Sequence, residues 1–249
     1  MLLDDYHSVT PEGIVISAEQ GSRFAKDVAD DFNPIHDVDA KRFCVPGDLL
    51  FALVLCHYGL SRRMTFDFRG MVGADTPLSF PEGDPAVLAI ADAGGKELLQ
   101  VERDGTVCRD LAVLEDFVRH YVAFSGHNFP HVLHPLLREH GVMFNPERPL
   151  VMYDSMSFEL NEEPTTGLAM TMTDSRMEVA GKRGDILLDF AITANGRPIG
   201  AGTKKLVVSG LREYDDEQMQ ALITEFNARK ADYYAAMPDQ PTGLAARAR

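Results

Sequence analysis

Residues 45–59 read VPGDLLFALVLCHYG, and the eight from Leu49 to Cys56 carry no polar side chain. The run lies between Pro46-Gly47, which suits the entry to a helix, and Gly59, which suits its end. A helix that is apolar all round has no solvent face, so other elements are expected to enclose it. It is also well short of the ~18 residues a membrane span requires. The rest of the chain has to supply the wrapping.

Downstream, that wrapping reads as short β-like runs: RMTFDFRGMV (63–72), AVLAIAD (86–92) and KELLQVERD (96–104). Gly94-Gly95 joins the last two as a hairpin would. Upstream, Ser17 and Gln20 have capping-box spacing for a helix running to about Asp31, with Phe24, Val28 and Phe32 at helical intervals. The second half repeats this order. Asp110 is placed to cap LAVLEDFVRHYVAFSG (111–126), in which Leu114, Phe117, Val118 and Tyr121 share a face. A polar bend, GHNFPH (126–131), leads to a shorter helix in HPLLREHGV (134–142). Four strands follow, LVMYDSMSFEL (150–160), LAMTMTDSRMEV (168–179), GDILLDFAIT (184–193) and PIGAGTKKLVVSG (198–210), with Asn195-Gly196 a type I′ turn signal between the last two. An amphipathic helix is expected from about Asp216 to Met237. The final PDQPTGLAARAR (238–249) has the composition of a disordered tail. No long linker separates the halves, so the organisation expected is one module over 1–108, a second over 109–212, and a C-terminal helix and tail over 213–249.

The polar chemistry gathers just before the apolar helix, in DDFNPIH (30–36). One long buried helix cradled by an antiparallel sheet, built twice, resembles the hotdog arrangement. The bend strengthens that reading: Asp31, Asn33, Pro34 and His36 resemble the G-D-x-N-P-x-H signature of the R-specific enoyl-CoA hydratases, the MaoC-like branch of the hotdog superfamily. Chains of this length and beginning also resemble a bacterial family recorded as a domain of unknown function. The resemblance implies an α+β double hotdog, two antiparallel sheets each wrapped on a central helix. It further implies that Asp31 and His36 activate a water that adds to a 2-enoyl thioester, that Asn33 and Pro34 shape the loop, and that the Gly47 N–H stabilises the thioester enolate. Asp48 and Phe51 are then expected at the substrate, with acyl-CoA or an acyl carrier protein thioester as partner. The signature's first glycine is Asp30 here, the histidine that commonly precedes the oxyanion glycine is Pro46, and the polar position on the central helix reads Leu55; against the neighbouring acyl-carrier dehydratases, the P-G helix start is kept but the acid position reads Ala52. The second bend has no aspartate, so the second module reads as a degenerate copy.

The chemistry asked of these residues is physically reasonable. The first turn of a helix offers free N–H groups and the positive end of its dipole to a developing oxyanion. Asp31 and His36 are five apart, and Pro34 takes the intervening chain off a helical path so that the two can converge. The buried helix is expected to wall an acyl slot behind them. Two other classes stay open: a hotdog thioesterase in which Asp48 or Asp31 activates water for attack on the thioester, and a non-catalytic acyl-thioester binder. The lyase reading requires Asp31 and His36 to share one water beside the helix tip.

Composition excludes other functions. A net charge of −14, from 38 acidic and 24 basic residues, opposes a phosphate-neutralising grip, so nucleic acid is not an expected partner. Cys44, Cys56 and Cys108 stand at no metal-ligand spacing and read as reduced thiols; neither a metal nor a cofactor is implied. The beginning, MLLDDYHSVTPEG, has no basic n-region, so a cytoplasmic location without membrane association is expected, with a homodimer conceivable. The pairs Arg62-Arg63, Lys182-Arg183 and Lys204-Lys205 read as solvated strand or loop ends, any of which could meet CoA phosphates. His127 and His131 read as structural or exposed.

Overall fold

A computed structural model describes residues 3–147 and 149–237. The N-terminal part contains β1 (Ser8–Thr10), β2 (Gly13–Val15), α1 (Ala18–Asp27), a 3-10 turn (Pro34–His36), α2 (Gly47–Tyr58), β3 (Leu60–Phe68), β4 (Leu78–Ser79), β5 (Val87–Asp92) and β6 (Glu97–Cys108). Then follow α3 (Leu111–Gly126), α4 (Leu133–Glu139), β7 (Val142–Met143), β8 (Leu150–Leu160), β9 (Leu168–Ala180), β10 (Arg183–Ala194), β11 (Arg197–Ser209), β12 (Arg212–Glu213) and α5 (Asp216–Ala235). The tail expected over 238–249 lies outside the described residues.

The strands form one sheet in the order β1-β2-β4-β5-β6-β3-β8-β11-β10-β9, while β7 and β12 pair separately. Each half of that order is an antiparallel sheet with helices on its face, which makes the protein an α+β double hotdog. The two expected sheets meet edge to edge, β3 against β8, in antiparallel register from Arg63↔Glu159 to Asp67↔Ser155. This union covers the edges of β3 and β8, while β9 remains an edge of the sheet.

Helix α2 is enclosed as its composition demands. Pro46 enters it at φ −56, Gly59 ends it at φ 79, and every residue from Leu49 to Leu55 is at most 3% exposed. Each such side chain contributes about 1.5–3 kcal/mol when taken out of water. The second half has no equivalent all-apolar helix. There α3 turns Val113, Leu114, Phe117, Val118, Tyr121 and Val122 inward, and its intervening polar residues are only half-buried. The short α4 covers the other end of the same half-sheet through Leu133, Leu136 and Leu137, beside Leu188, Leu206 and Val208. The central helices touch through Phe51, whose ring lies 4.5 Å from Tyr121 and 5.1 Å from Phe66.

Local expectations meet the structure closely at several points. The Ser17–Gln20 capping box is present in both directions. Asp110 accepts from the Ala112 and Val113 N–H groups, and Asn195 and Gly196 both have positive φ, 50 and 77, as a type I′ turn requires. Helix α1, expected to reach Asp31, stops at Asp27. Asp30 adopts φ 55, and the Asp31 N–H turns back to the Ala25 carbonyl at 2.8 Å. The hairpin of β1 and β2 was not foreseen, because each strand has only three residues and shows no alternation to read.

Candidate active site at the tip of the central helix

The first bend is built as a capped turn. Asn33 is the N-cap of the 3-10 turn, its side-chain oxygen accepting from the Ile35 N–H, and Pro34 follows at the turn's first position. The Asn33 side-chain amide donates to the Val151 carbonyl on β8 at 3.3 Å, tying the bend to the second module. The Asp31 carboxylate accepts from the Asn33 N–H at 2.9 Å. The turn ends on His36, which is 8% exposed. Its Nδ1 lies 2.6 Å from the Cys44 carbonyl oxygen, and a carbonyl can only accept, so Nδ1 carries the hydrogen. In the neutral ring Nε2 is then a free base, and it lies 3.6 Å from Asp31 Oδ2. The proline-directed turn thus brings the two residues together.

They border a cavity of about 570 Å³ whose wall includes Asn33, Pro34, Gly47, Asp48 and Leu50. The N–H groups of Gly47 and Asp48 belong to the first turn of α2 and have no partner within the helix. Gly47 is needed for close packing: a Cβ there would lie 2.9 Å from Tyr153 and 3.1 Å from Phe68, whose rings stack over the helix tip. Phe51, expected to contact substrate, is instead fully buried among Phe66, Phe117 and Tyr121. Its position one turn into an all-buried helix turns it toward α3. For the same reason the cavity does not follow α2. It meets the helix at Gly47, Asp48 and Leu50, then runs between the second module and α5, past Leu133, Phe144, Leu206 and Phe226.

A buried polar network beside the tip was not read from the sequence. Asp48 receives the Ser125 hydroxyl, with Oγ 2.8 and 2.7 Å from its two oxygens. Lys204 donates to Ser125 Oγ and stands 4.1 Å above the Tyr153 ring, and the Tyr153 and Tyr121 hydroxyls bond to each other. Burial lifts the Asp48 carboxyl above its ordinary range, against the pull of Lys204 and Ser125. Burial lowers the Lys204 ammonium, opposed by Asp48 and Asp31. Both tyrosines are raised, chiefly by burial. The Asp31 carboxylate of the bend adds to the upward push on Asp48. Lys204 and Ser125 offset the negative charge of the buried Asp48 carboxylate. Lys204, expected as a solvated strand end, is instead 2% exposed. Its alternation with Leu206 and Val208 along β11 is the signal that places it on the inner face.

The second bend packs on the first. Gly126 closes α3 so near the Ala29 carbonyl that a Cβ would lie 1.6 Å from its oxygen. His127 Nε2 approaches Asp30 at 3.2 Å, and Asp30 also receives Lys230 at 2.5 Å and the Tyr234 hydroxyl at 2.8 Å from α5. The left-handed backbone at Asp30 therefore points this acid away from the cavity and into an anchor for the C-terminal helix. His131 is exposed. Among the described residues, no group of three or more His, Cys, Asp or Glu side chains is disposed to hold a metal ion, and no helix is long and apolar enough to cross a membrane.

A family model described as "Protein of unknown function (DUF3581)" matches residues 1–217, which leaves nearly all of α5 beyond the match. A comparison with curated proteins finds no match. Among solved structures, the chain is similar to a conserved protein of unknown function with hot dog fold from Alicyclobacillus acidocaldarius, with TM-score 0.45 and 10% identity over 84% of this chain and 98% of that one. It is similar to a MaoC-like dehydratase, with TM-score 0.41 and 9% identity over 81% and 97%. It is also similar to an acyl-CoA thioesterase II from Mycobacterium marinum, with TM-score 0.37 and 11% identity over 68% and 90%.

Proposed function

The chain belongs to the DUF3581 family, and from its site we propose that it acts on acyl thioesters, adding water to a 2-enoyl thioester or removing it from the 3-hydroxyacyl product. The observation that carries this reading is the meeting of His36 Nε2 and Asp31 Oδ2, 3.6 Å apart, on the wall of a cavity that also holds the first turn of α2. In the hydration direction the water oxygen bonds to C3 and its proton passes to His36 Nε2. The double-bond electrons move onto the thioester oxygen as an enolate, which the first-turn N–H groups of Gly47 and Asp48 stabilise. A proton then returns from the Asp31–His36 pair to C2. The Cys44 carbonyl fixes the tautomer that leaves Nε2 free, and Asp31 stabilises the imidazolium that forms.

Thioester hydrolysis is the second reading, because Asp48 lies in the same cavity wall. It is disfavoured because both Asp48 oxygens face the Ser125 hydroxyl. One assay separates the two. Incubating the protein with 2-enoyl-CoA should remove the enoyl absorbance without releasing free CoA thiol. Asp31→Asn and His36→Ala should each slow that loss about a hundredfold or more, as expected for removal of a general acid or base. Release of thiol with the absorbance change abolished by Asp48→Asn would favour hydrolysis instead. Unaltered hydration in both bend variants would dismiss the mechanism.

A further inference from the structure

Helix α5 has a single fully buried residue, Met219, among twenty. It is nevertheless fixed across the first bend: Arg229 pairs with Asp37, Lys230 and Tyr234 with Asp30, and Tyr233 with Asp27. Phe32 is wedged among Phe226, Tyr233 and Tyr234, with ring centroids 5.5–6.2 Å away. A helix that gains so little from burial is held mainly by contacts on one stripe. Leu222, Glu225, Phe226 and Arg229 also line the cavity, so Phe226 and Arg229 serve both the anchor and the cavity wall. Their intervals of three, one and three are those of one face of an α-helix. Phe226 continues into an aromatic row, lying 5.2 Å from Phe129, which in turn is 5.6 Å from Phe144. Phe129 and Phe144 line the same cavity. The same cavity thus joins His36 and the tip of α2 to an aromatic wall of Phe226, Phe129 and Phe144.

We propose that α5 is the specificity element of this site: Phe226, backed by Phe129 and Phe144, sets how long an aliphatic acyl chain the cavity accepts. This rests on the thioester reading for the identity of the ligand. The chain leaves the helix tip, enters the second module and stops against the Phe226 ring, so its last methylenes exchange water for aromatic and aliphatic carbon. A single methylene in such a pocket discriminates by roughly tenfold or more. Removing the ring opens room for several carbons, and a larger ring closes it.

The test is equilibrium binding of short-, medium- and long-chain saturated acyl-CoAs, which cannot be hydrated, to the wild-type chain, Phe226→Ala and Phe226→Trp, with thermal melting as a check of folding. Phe226→Ala should shift the long-to-short ratio of affinities toward long chains by about tenfold or more, and Phe226→Trp should shift it the other way. Unchanged ratios in both folded variants, or no binding of any acyl-CoA by the wild type, would overturn the proposal. The outcome is separable from hydration. Phe226-dependent binding without turnover of 2-enoyl-CoA keeps the specificity element and removes the lyase. Turnover with unchanged ratios does the reverse.

Discussion

Residues 31–36, DFNPIH, and residues 126–131, GHNFPH, hold an asparagine and a histidine at the same interval with a proline between them. In the first bend the proline directly follows the asparagine, so Asn33 caps a turn that Pro34 begins, and His36 is delivered inward to the Cys44 carbonyl and Asp31. In the second the proline comes one residue later, and the Asn128 side chain instead bonds the Ser125 carbonyl. His131 is left exposed. Where the first bend starts with an acid, the second starts with Gly126, which lets its backbone lie against Ala29. Both bends line the cavity, the first with Asp31 and His36 and the second with Asn128 and Phe129, while Gly126 packs the second bend against the first. The two bends thus differ in what their side chains reach, and the contrast can be broken or sharpened at individual positions.

The largest effect is expected at the network that joins the two halves. Lys204→Met strands Asp48 as a buried acid without its cation, which should cost about 3–5 kcal/mol in denaturant unfolding. That cost should depend on pH. Asp48 already titrates above its ordinary 3.8, and loss of the ammonium raises it further, so the native state binds more protons than the unfolded chain in the interval above 3.8. Stability of the variant should therefore fall as pH rises through that interval, by about 1.4 kcal/mol per unit. A pH-independent loss would mean that Lys204 contributes packing alone.

Next in size is Gly126→Ala, where the methyl must displace the Ala29 backbone. A loss of about 2–4 kcal/mol is expected, together with reduced activity through displacement of Asp31. A fully stable Gly126→Ala variant would show that the bends are not in obligatory contact. Smaller again is Tyr234→Phe on α5, which removes one hydrogen bond to the buried Asp30 carboxylate and should lower stability by about 1–2 kcal/mol. The smallest is His127→Ala, one of several partners of Asp30, expected to cost no more than about 1 kcal/mol in thermal or denaturant melts.

Much of this fold can be read from residues whose local physics permits one solution. An unbroken apolar run such as Leu49–Leu55 has to be wrapped, and strands with turn chemistry as strong as Asn195-Gly196 have to pair as a hairpin. The convergence of Asp31 and His36 was legible because Pro34 restricts the path between them. What stayed hidden depends on partners far along the chain. Ser125 and Lys204 reach Asp48 from α3 and β11, and nothing near any of the three announces the others. Lys204 carried a usable signal, since a lysine in phase with Leu206 and Val208 faces the core whatever its charge. Phe51 misled because a fully buried helix presents no preferred face, so periodicity cannot say which side chain meets a cavity and which meets α3. The course of the cavity is equally illegible, because part of its wall is α5, whose contacts with the first bend span some two hundred residues of sequence.

The contrast between the bends is tested most directly by steady-state kinetics of His36→Ala and His127→Ala on one 2-enoyl-CoA, with both variants shown to be folded. His36→Ala is expected to lose about a hundredfold or more in kcat/KM, while His127→Ala stays within about threefold of the parent. Equal losses in the two variants, or full activity without His36, would contradict the assignment of chemistry to the first bend and positioning to the second.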